Sequence, residues 1–204
     1  MMKSNMRLLI LLFLSFQSLA YSQSQSLQLS PTSESPKVDG MVSLKEWQGS
    51  LKLEMKRTPK WKVGIQVTYD KENIYVAFSN LAYPEMPKLN AEVMIQTDLS
   101  TNDWSDNTFW FHSSYSNCEA QGKYYYWESC SDNATGWEAN TFPLEKGKPH
   151  MEFKISFSKL QLESPAPGTK IRLAFKLSDA KEFHTYWPSD ASIQKPATWG
   201  VVIF

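Results

Sequence analysis

Apolar and polar residues alternate along much of this chain with a period of two, as in strands that bury one face and solvate the other. Within Lys62–Tyr69 the apolar positions are Val63, Ile65, Val67 and Tyr69, with Gly64, Gln66 and Thr68 between them. The polar stretch Asp70-Lys71-Glu72-Asn73 then leads into Ile74-Tyr75-Val76-Ala77-Phe78, so the two segments predict a β-hairpin. Similar runs rich in Val, Ile, Tyr, Phe and Trp predict strands at Leu51–Met55, Asn73–Phe78, Ala91–Thr97, Thr108–Ser113, Tyr124–Glu128, Gly136–Phe142, His150–Ser156, Lys170–Ser178 and Gly200–Phe204. Helical periodicity is confined to single turns, at Val42–Trp47 after Asp39-Gly40 and at Phe157–Leu160 after Ser156. About ten short strands at this spacing predict an all-β domain, a sandwich or a barrel.

The first residues depart from this pattern. Lys3 and Arg7 precede an apolar run from Leu8 to Phe16, followed by small residues at Ser18, Ala20 and Ser22. That order predicts a signal peptide over residues 1–22, cleaved before Gln23, and hence a secreted or periplasmic protein. The run is about half the length of about 20 residues that a bilayer requires, so no membrane insertion is expected after cleavage. Residues 23–37 are rich in Ser, Gln and Pro and predict a flexible entry to a single folded domain at 38–204.

Charge narrows the partners. The 21 basic and 21 acidic residues balance, which leaves no footprint for nucleic acid or an anionic membrane. Cys118 and Cys130 are the only cysteines. In an oxidising compartment they predict a disulfide across a hairpin, which contributes about 3 kcal/mol in the chain-entropy model. No nucleophile–base motif, zinc-protease motif or phosphate-cradling glycine run is present, so catalysis is not expected.

Six segments occur in an order that resembles the family 9 carbohydrate-binding modules and the wider DOMON-like group. They are Lys37-Val38-Asp39-Gly40 with Glu46-Trp47; Val67–Asp70 with Asn73–Phe78; Asn102-Asp103-Trp104-Ser105-Asp106-Asn107; Met151–Ile155 with Phe157–Leu160; Pro167-Gly168-Thr169; and Pro196-Ala197-Thr198-Trp199-Gly200. The resemblance implies an antiparallel, jelly-roll-like β-sandwich that binds oligo- or polysaccharide without acting on it, in association with polysaccharide-degrading enzymes. In that family a sugar ring is held between two tryptophans. Trp104 falls on one of them, and Asn140 on a ligand-binding asparagine. The second tryptophan falls on Ile193, with Trp187 as the substitute; the family's arginine falls on Glu138 and its acidic partner on Phe109. The expected carbohydrate-binding residues are therefore Trp104, Asn140, Trp187 and Glu138. Apolar pyranose faces pack on aromatic rings while their hydroxyls seek fixed polar partners, which is why such residues suit the task.

Two further readings come from the residues. Asp98, Asp103 and Asp106, with Asn102, concentrate oxygen atoms in one loop and are a candidate calcium site. The methionines Met55, Met86, Met94 and Met151, with His112, His150 and His184, are potential axial ligands should the domain hold haem as some DOMON-like domains do. A protein partner in an envelope assembly, met by the aromatics, is the remaining alternative; the run Tyr124-Tyr125-Tyr126-Trp127 lies in the disulfide hairpin, where it packs across the sheet or extends a binding surface.

Overall fold

Two sheets pack face to face with their apolar sides inward. The structure, a computed structural model, describes residues 26–81, 89–114, 118–122, 127–130, 135–141, 150–179 and 184–204. Its strands are β1 (Leu27–Gln28), β2 (Leu51–Thr58), β3 (Trp61–Tyr69), β4 (Asn73–Ser79), β5 (Asn90–Gln96), β6 (Thr108–Ser113), β7 (Cys118–Gln121), β8 (Trp127–Ser129), β9 (Trp137–Thr141), β10 (Met151–Ser156), β11 (Lys170–Ser178), β12 (His184–Trp187) and β13 (Gly200–Ile203). The first sheet has eight strands in the order β1-β13-β11-β5-β6-β7-β8, with β12 also paired to β11; the second has five, β2-β3-β4-β10-β9. Apart from the parallel pair β1–β13, the pairings are antiparallel. The fold class read from the sequence is the observed one.

Period-two patterning becomes packing directly. Val63, Ile65 and Val67 of β3 are fully buried, as are Val93 and Ile95 of β5 and Leu173, Phe175 and Leu177 of β11. Phe78 packs edge-on against Phe153 of its own sheet at 5.9 Å and against Phe175 of the facing sheet at 5.7 Å, tying the two layers together. The predicted hairpin turn forms because Asp70 Oδ1 accepts the amides of Glu72 (2.8 Å) and Asn73 (2.7 Å) while its Oδ2 takes the hydroxyls of Ser35 and Tyr75, each at 2.6 Å. Both predicted helical turns are single hydrogen-bonded turns, with Trp47 N–H on Ser43 O and Leu160 N–H on Ser156 O.

Three strands have no counterpart in the sequence pattern. β1, β7 and β12 run only two to four residues, too short for alternation to register. The expected strand Tyr124–Glu128 is represented by β8, residues 124–126 lying outside the described residues, as do residues 1–25. Cys118 and Cys130 form the expected disulfide, with their Cα atoms 5.5 Å apart, closing the β7–β8 hairpin.

The segment expected as a flexible entry is, from residue 26 on, part of the fold. Leu27 and Gln28 pair with Val202 and Ile203 of β13, Leu29 is buried, and Thr32 N–H bonds Tyr69 O at 2.7 Å. Polar composition concealed this because a few backbone bonds and one buried leucine suffice to dock it. Residues 38–50 continue over the outer face of the five-stranded sheet, where Trp47 packs on Tyr75 and Ala77. They are fastened to a buried carboxylate. Glu152 Oε2 accepts the amides of Asp39 (3.1 Å) and Gly40 (2.7 Å), and its Oε1 accepts the indole N–H of Trp47 at 3.1 Å. Gly40, at φ 79°, supplies the backbone conformation that aims its amide there.

Candidate functional site

The eight-stranded sheet buries polar side chains on the face turned away from the core. Glu92 and Gln96 of β5, Thr108 of β6, Gln121 of β7, and Lys176 and Ser178 of β11 are all nearly inaccessible. Cross-strand register arranges this outer face in rows: Arg172–Gln96–Thr108, then Ala174–Met94–Trp110–Gln121, then Tyr186–Lys176–Glu92–His112–Glu119. The outer face thus carries enclosed polar side chains beside a group of aromatic ones.

An aromatic cluster occupies one end of this face. Met94, Ala174, Ala191 and Trp199 are buried there, with Trp104, Trp110, Tyr186 and Ile193 half-buried against them. Trp104 is held rather than loose. Its indole N–H donates to Ile193 O at 2.7 Å, and its ring meets Trp199 edge-on at 6.3 Å, Trp199 in turn donating to Ser192 O at 2.8 Å. The loop carrying Trp104 is pinned from below: Arg172 Nη1 donates to Thr101 O (2.6 Å) and to Gln96 Oε1, its Nη2 to Asn102 Oδ1 (3.2 Å), and Gln96 Nε2 donates to Asp103 O (2.8 Å). Burial lowers the Arg172 pKa, an effect partly offset by the nearby Asp98 charge.

The centre of the face is ionic. Glu92, 2% exposed, accepts the Trp110 indole N–H (2.8 Å), the Ser178 hydroxyl (2.6 Å) and the Lys176 ammonium, which lies 2.8 Å from Oε1 and 3.0 Å from Oε2. Lys176 Nζ also stands 5.6 Å from the centre of the Trp110 ring, within cation–π range. Burial, and then the Glu92 charge, raise the Tyr186 hydroxyl pKa. Next along the row, His112 Nε2 and Glu119 Oε2 are 3.0 Å apart.

The sequence-predicted residues divide between the two sheets. Trp104 and Ile193 meet on the outer face of the eight-stranded sheet, and Phe109 is in the core. Glu138 and Asn140 do not join Trp104: both lie on β9, on the outward side of the five-stranded sheet. There Glu138 pairs with Lys154 at 3.1 Å and lines a separate cleft of about 360 Å³, while Asn140 Nδ2 donates to Val38 O at 3.2 Å. A single sugar cannot span the sandwich, so these two are corrected as partners of Trp104. Trp187 also misses the aromatic face. Strand parity turns it inward onto Phe175, at 5.6 Å, and presents its neighbour Tyr186 outward. Trp187 and Tyr186 line a second cleft, of about 520 Å³, with Glu54, Met55, Lys56, His184, Thr185, Pro188 and Ser189.

The loop acids are separate side chains. Asp98 Oδ1 accepts the Ser100 amide at 2.9 Å, and hydrogen bonds from the Ser100 side chain and backbone lower its pKa; Asp103 and Asp106 are exposed. Among the described residues no three His, Cys, Asp or Glu side chains group as a metal site. Met55, Met94 and Met151 are all at most 2% exposed and serve packing; Met86 and the run Tyr124–Tyr126 lie outside the described residues. Glu92, Trp110, Lys176 and Tyr186 share this face with Trp104 and are not among the sequence-predicted site residues. Their signal was present as polar residues interrupting apolar strands, but which parity faces outward at β5 and β11 is fixed only by pairing.

Comparison with solved structures places this architecture. A family 9 carbohydrate-binding module from Caldicellulosiruptor kristjanssonii in complex with cellotriose aligns over 88% of this chain and 93% of its own, with TM-score 0.60 and 15% identity. The fold is that of a family 9 carbohydrate-binding module. A structure of such a module from the same organism in complex with glucose aligns over 88% of this chain and 95% of its own, with TM-score 0.61 and 14% identity. No protein-family model and no curated protein matches the sequence. In this chain two of the six sequence segments meet at the Glu152 fastening, and a third holds the Asp70 turn. Among the described residues no helix is long and apolar enough to cross a membrane.

Proposed function

We propose that this protein is a non-catalytic carbohydrate-binding domain acting outside the cytoplasm, which seats a sugar ring against Trp104 on the outer face of the eight-stranded sheet. The observation that carries the reading is Trp104 itself: a half-buried tryptophan, fixed at its nitrogen by Ile193 O and at its edge by Trp199, on a face that also carries polar side chains. A preset aromatic face gives up little conformational entropy on binding, and the surrounding donors and acceptors meet hydroxyls. The bound sugars of the two structures with the same fold support the ligand class. Ile193 packs with Trp104 where the family pattern has its second tryptophan, so the aromatic platform differs from a two-tryptophan sandwich.

The test is a glycan array probed with the folded protein, run with calcium and again with chelator because of the acidic Asp98–Asp106 loop. The expected result is a defined set of hits that Trp104→Ala removes while the melting temperature is retained. A blank array, or hits indifferent to Trp104→Ala, rejects the assignment.

A further inference from the structure

We propose that the cleft between β2 and β12 is a second binding site, distinct from the Trp104 cluster, and that it takes a carboxylate-bearing sugar, with Lys56 as the counter-charge of the carboxylate and Tyr186 beside the ring. The inference stands whether or not Trp104 holds a neutral glycan.

Charge is unevenly spread over a chain that balances overall. Residues 51–69, which make the β2–β3 hairpin, hold five basic residues, Lys52, Lys56, Arg57, Lys60 and Lys62, and a single acid, Glu54. Register sets Lys56 directly opposite Lys62, and like charges so placed repel. Glu54 relieves only one of the two, since its carboxylate pairs with Lys62 at 3.1 Å. Among the described residues the exposed Lys56 ammonium has no acidic partner. An anion seated against it removes a repulsion that the fold leaves in place.

Lys56 lines the cleft of about 520 Å³, a volume within the roughly 300–1,000 Å³ of small-molecule sites. Both sheets build it. Glu54 and Lys56 come from the edge strand of the five-stranded sheet and His184–Trp187 from β12, and the Thr185 hydroxyl joins the two by donating to Lys56 O at 3.3 Å. Trp187 is fixed against Phe175 at 5.6 Å and against Gly200, where an added methyl would come within 2.8 Å of its ring. Among the described residues the hydroxyls of Tyr186 and Ser189 and the ring nitrogens of His184 make no hydrogen bond. Burial, and then the Glu92 charge, keep the Tyr186 hydroxyl protonated and so able to donate. Lys56 is the only lysine or arginine among the described lining residues, and Glu54 is already neutralised by Lys62. One cation among neutral polar groups and an aromatic ring fits a monoanion on a hydroxylated ring. The carboxylate takes the charge-assisted bond, the sugar hydroxyls meet the neutral groups, and the apolar ring face meets Tyr186. A phosphate or an acidic peptide carries more charge than this lining offsets.

The experiment is a calorimetric titration of the folded protein with a galacturonate dimer, its neutral galactose counterpart, inorganic phosphate and a tetraglutamate peptide, at low and high salt. The galacturonate dimer should bind at least about tenfold more tightly than the other three and weaken as salt rises. Lys56→Met keeps the stem, removes the charge and should cut that affinity about tenfold. Lys52→Met, on the same strand but outside the cleft lining, and Trp104→Ala should leave it unchanged. Should Lys56→Met lower the melting temperature, Tyr186→Phe gives an independent reading, since loss of one hydroxyl should weaken binding about fivefold. Four results overturn the proposal: no binding of the galacturonate dimer, equal binding of the neutral dimer, phosphate or peptide, an affinity that survives both cleft variants, or an equal loss in Lys52→Met, which marks a general attraction by the hairpin. The Trp104 reading fails separately: an array without neutral hits leaves this cleft standing, and a galacturonate dimer that does not bind leaves Trp104 in place.

Discussion

Replacing Trp47 by Phe tests the fastening of residues 38–50. Trp47 is 2% exposed and gives its indole N–H to Glu152, itself fully buried. Phenylalanine keeps most of the ring but leaves Glu152 Oε1 without its donor. Above pH about 7, where Glu152 is charged, losing a hydrogen bond to it costs about 1.5–3 kcal/mol, and the smaller ring adds a cavity cost of about 1 kcal/mol. The expected loss of about 3 kcal/mol is a large share of the 5–15 kcal/mol typical of a domain. Urea denaturation followed by tryptophan fluorescence reads it directly. The pH dependence has a definite sign. Burial, opposed by the amides of Gly40 and Asp39 and the Trp47 indole, lifts the Glu152 carboxyl from 4.5 to about 7. The folded state then holds a proton that the unfolded chain releases, so this contribution is complete below pH 4.5 and is lost as pH rises to about 7. The decline amounts to roughly 3 kcal/mol at 1.36 kcal/mol per pH unit. Glu152→Gln should flatten it, and Trp47→Phe should extend it to higher pH. A loss below about 0.5 kcal/mol in Trp47→Phe, or identical pH profiles for wild type and Glu152→Gln, would refute the reasoning.

Other expectations are narrower. Asp70 behaves oppositely to Glu152: burial raises its carboxyl, but hydrogen bonds from Ser35, Tyr75, Glu72 and Asn73 outweigh this and lower it. Its stabilisation is present above pH 3.8 and is lost on further acidification, and Asp70→Asn should remove that acid-side loss in pH-dependent thermal melts. Gly200→Ala would place a methyl 2.8 Å from Trp187 Cη2, and overpacking of this kind costs about 1–3 kcal/mol in a denaturant titration. Arg172→Ala should weaken glycan binding by releasing the Trp104 loop, with accelerated hydrogen exchange at residues 101–104 as the accompanying sign. Reduction of Cys118–Cys130 should lower stability by about 3 kcal/mol, read as a downward shift in the melting temperature.

Long strands were legible because their chemistry is local. Val63, Ile65 and Val67 announce a buried face, and Asp70 announces the turn that follows. The opening Asp39-Gly40…Trp47 was legible as a marker but not as a device, because its partner Glu152 is more than a hundred positions away in the chain. The site was half legible. Trp104 stood out as an aromatic in a polar loop, whereas Trp187 and Tyr186 differ only by strand parity, which pairing with β11 decides. Glu138 and Asn140 were assigned by correspondence with a family pattern, and such correspondence carries no information about which sheet a residue joins. Glu92 and Lys176 are 84 positions apart in the chain, and only the register of β5 and β11 sets them opposite one another.

The parallel pair between β1 and β13 has a consequence for how the molecule is made. Leu27 meets Val202, so the first strand of the domain to emerge during synthesis or export must wait for the last before its edge is filled. Contacts of such separation are entropically slow to close. Until that moment the β13 side of the eight-stranded sheet has an open edge, the kind of surface that invites pairing with another chain. Closing this pair therefore also covers a strand edge that could otherwise meet another chain, and a chain clipped just before Val202 would leave it open.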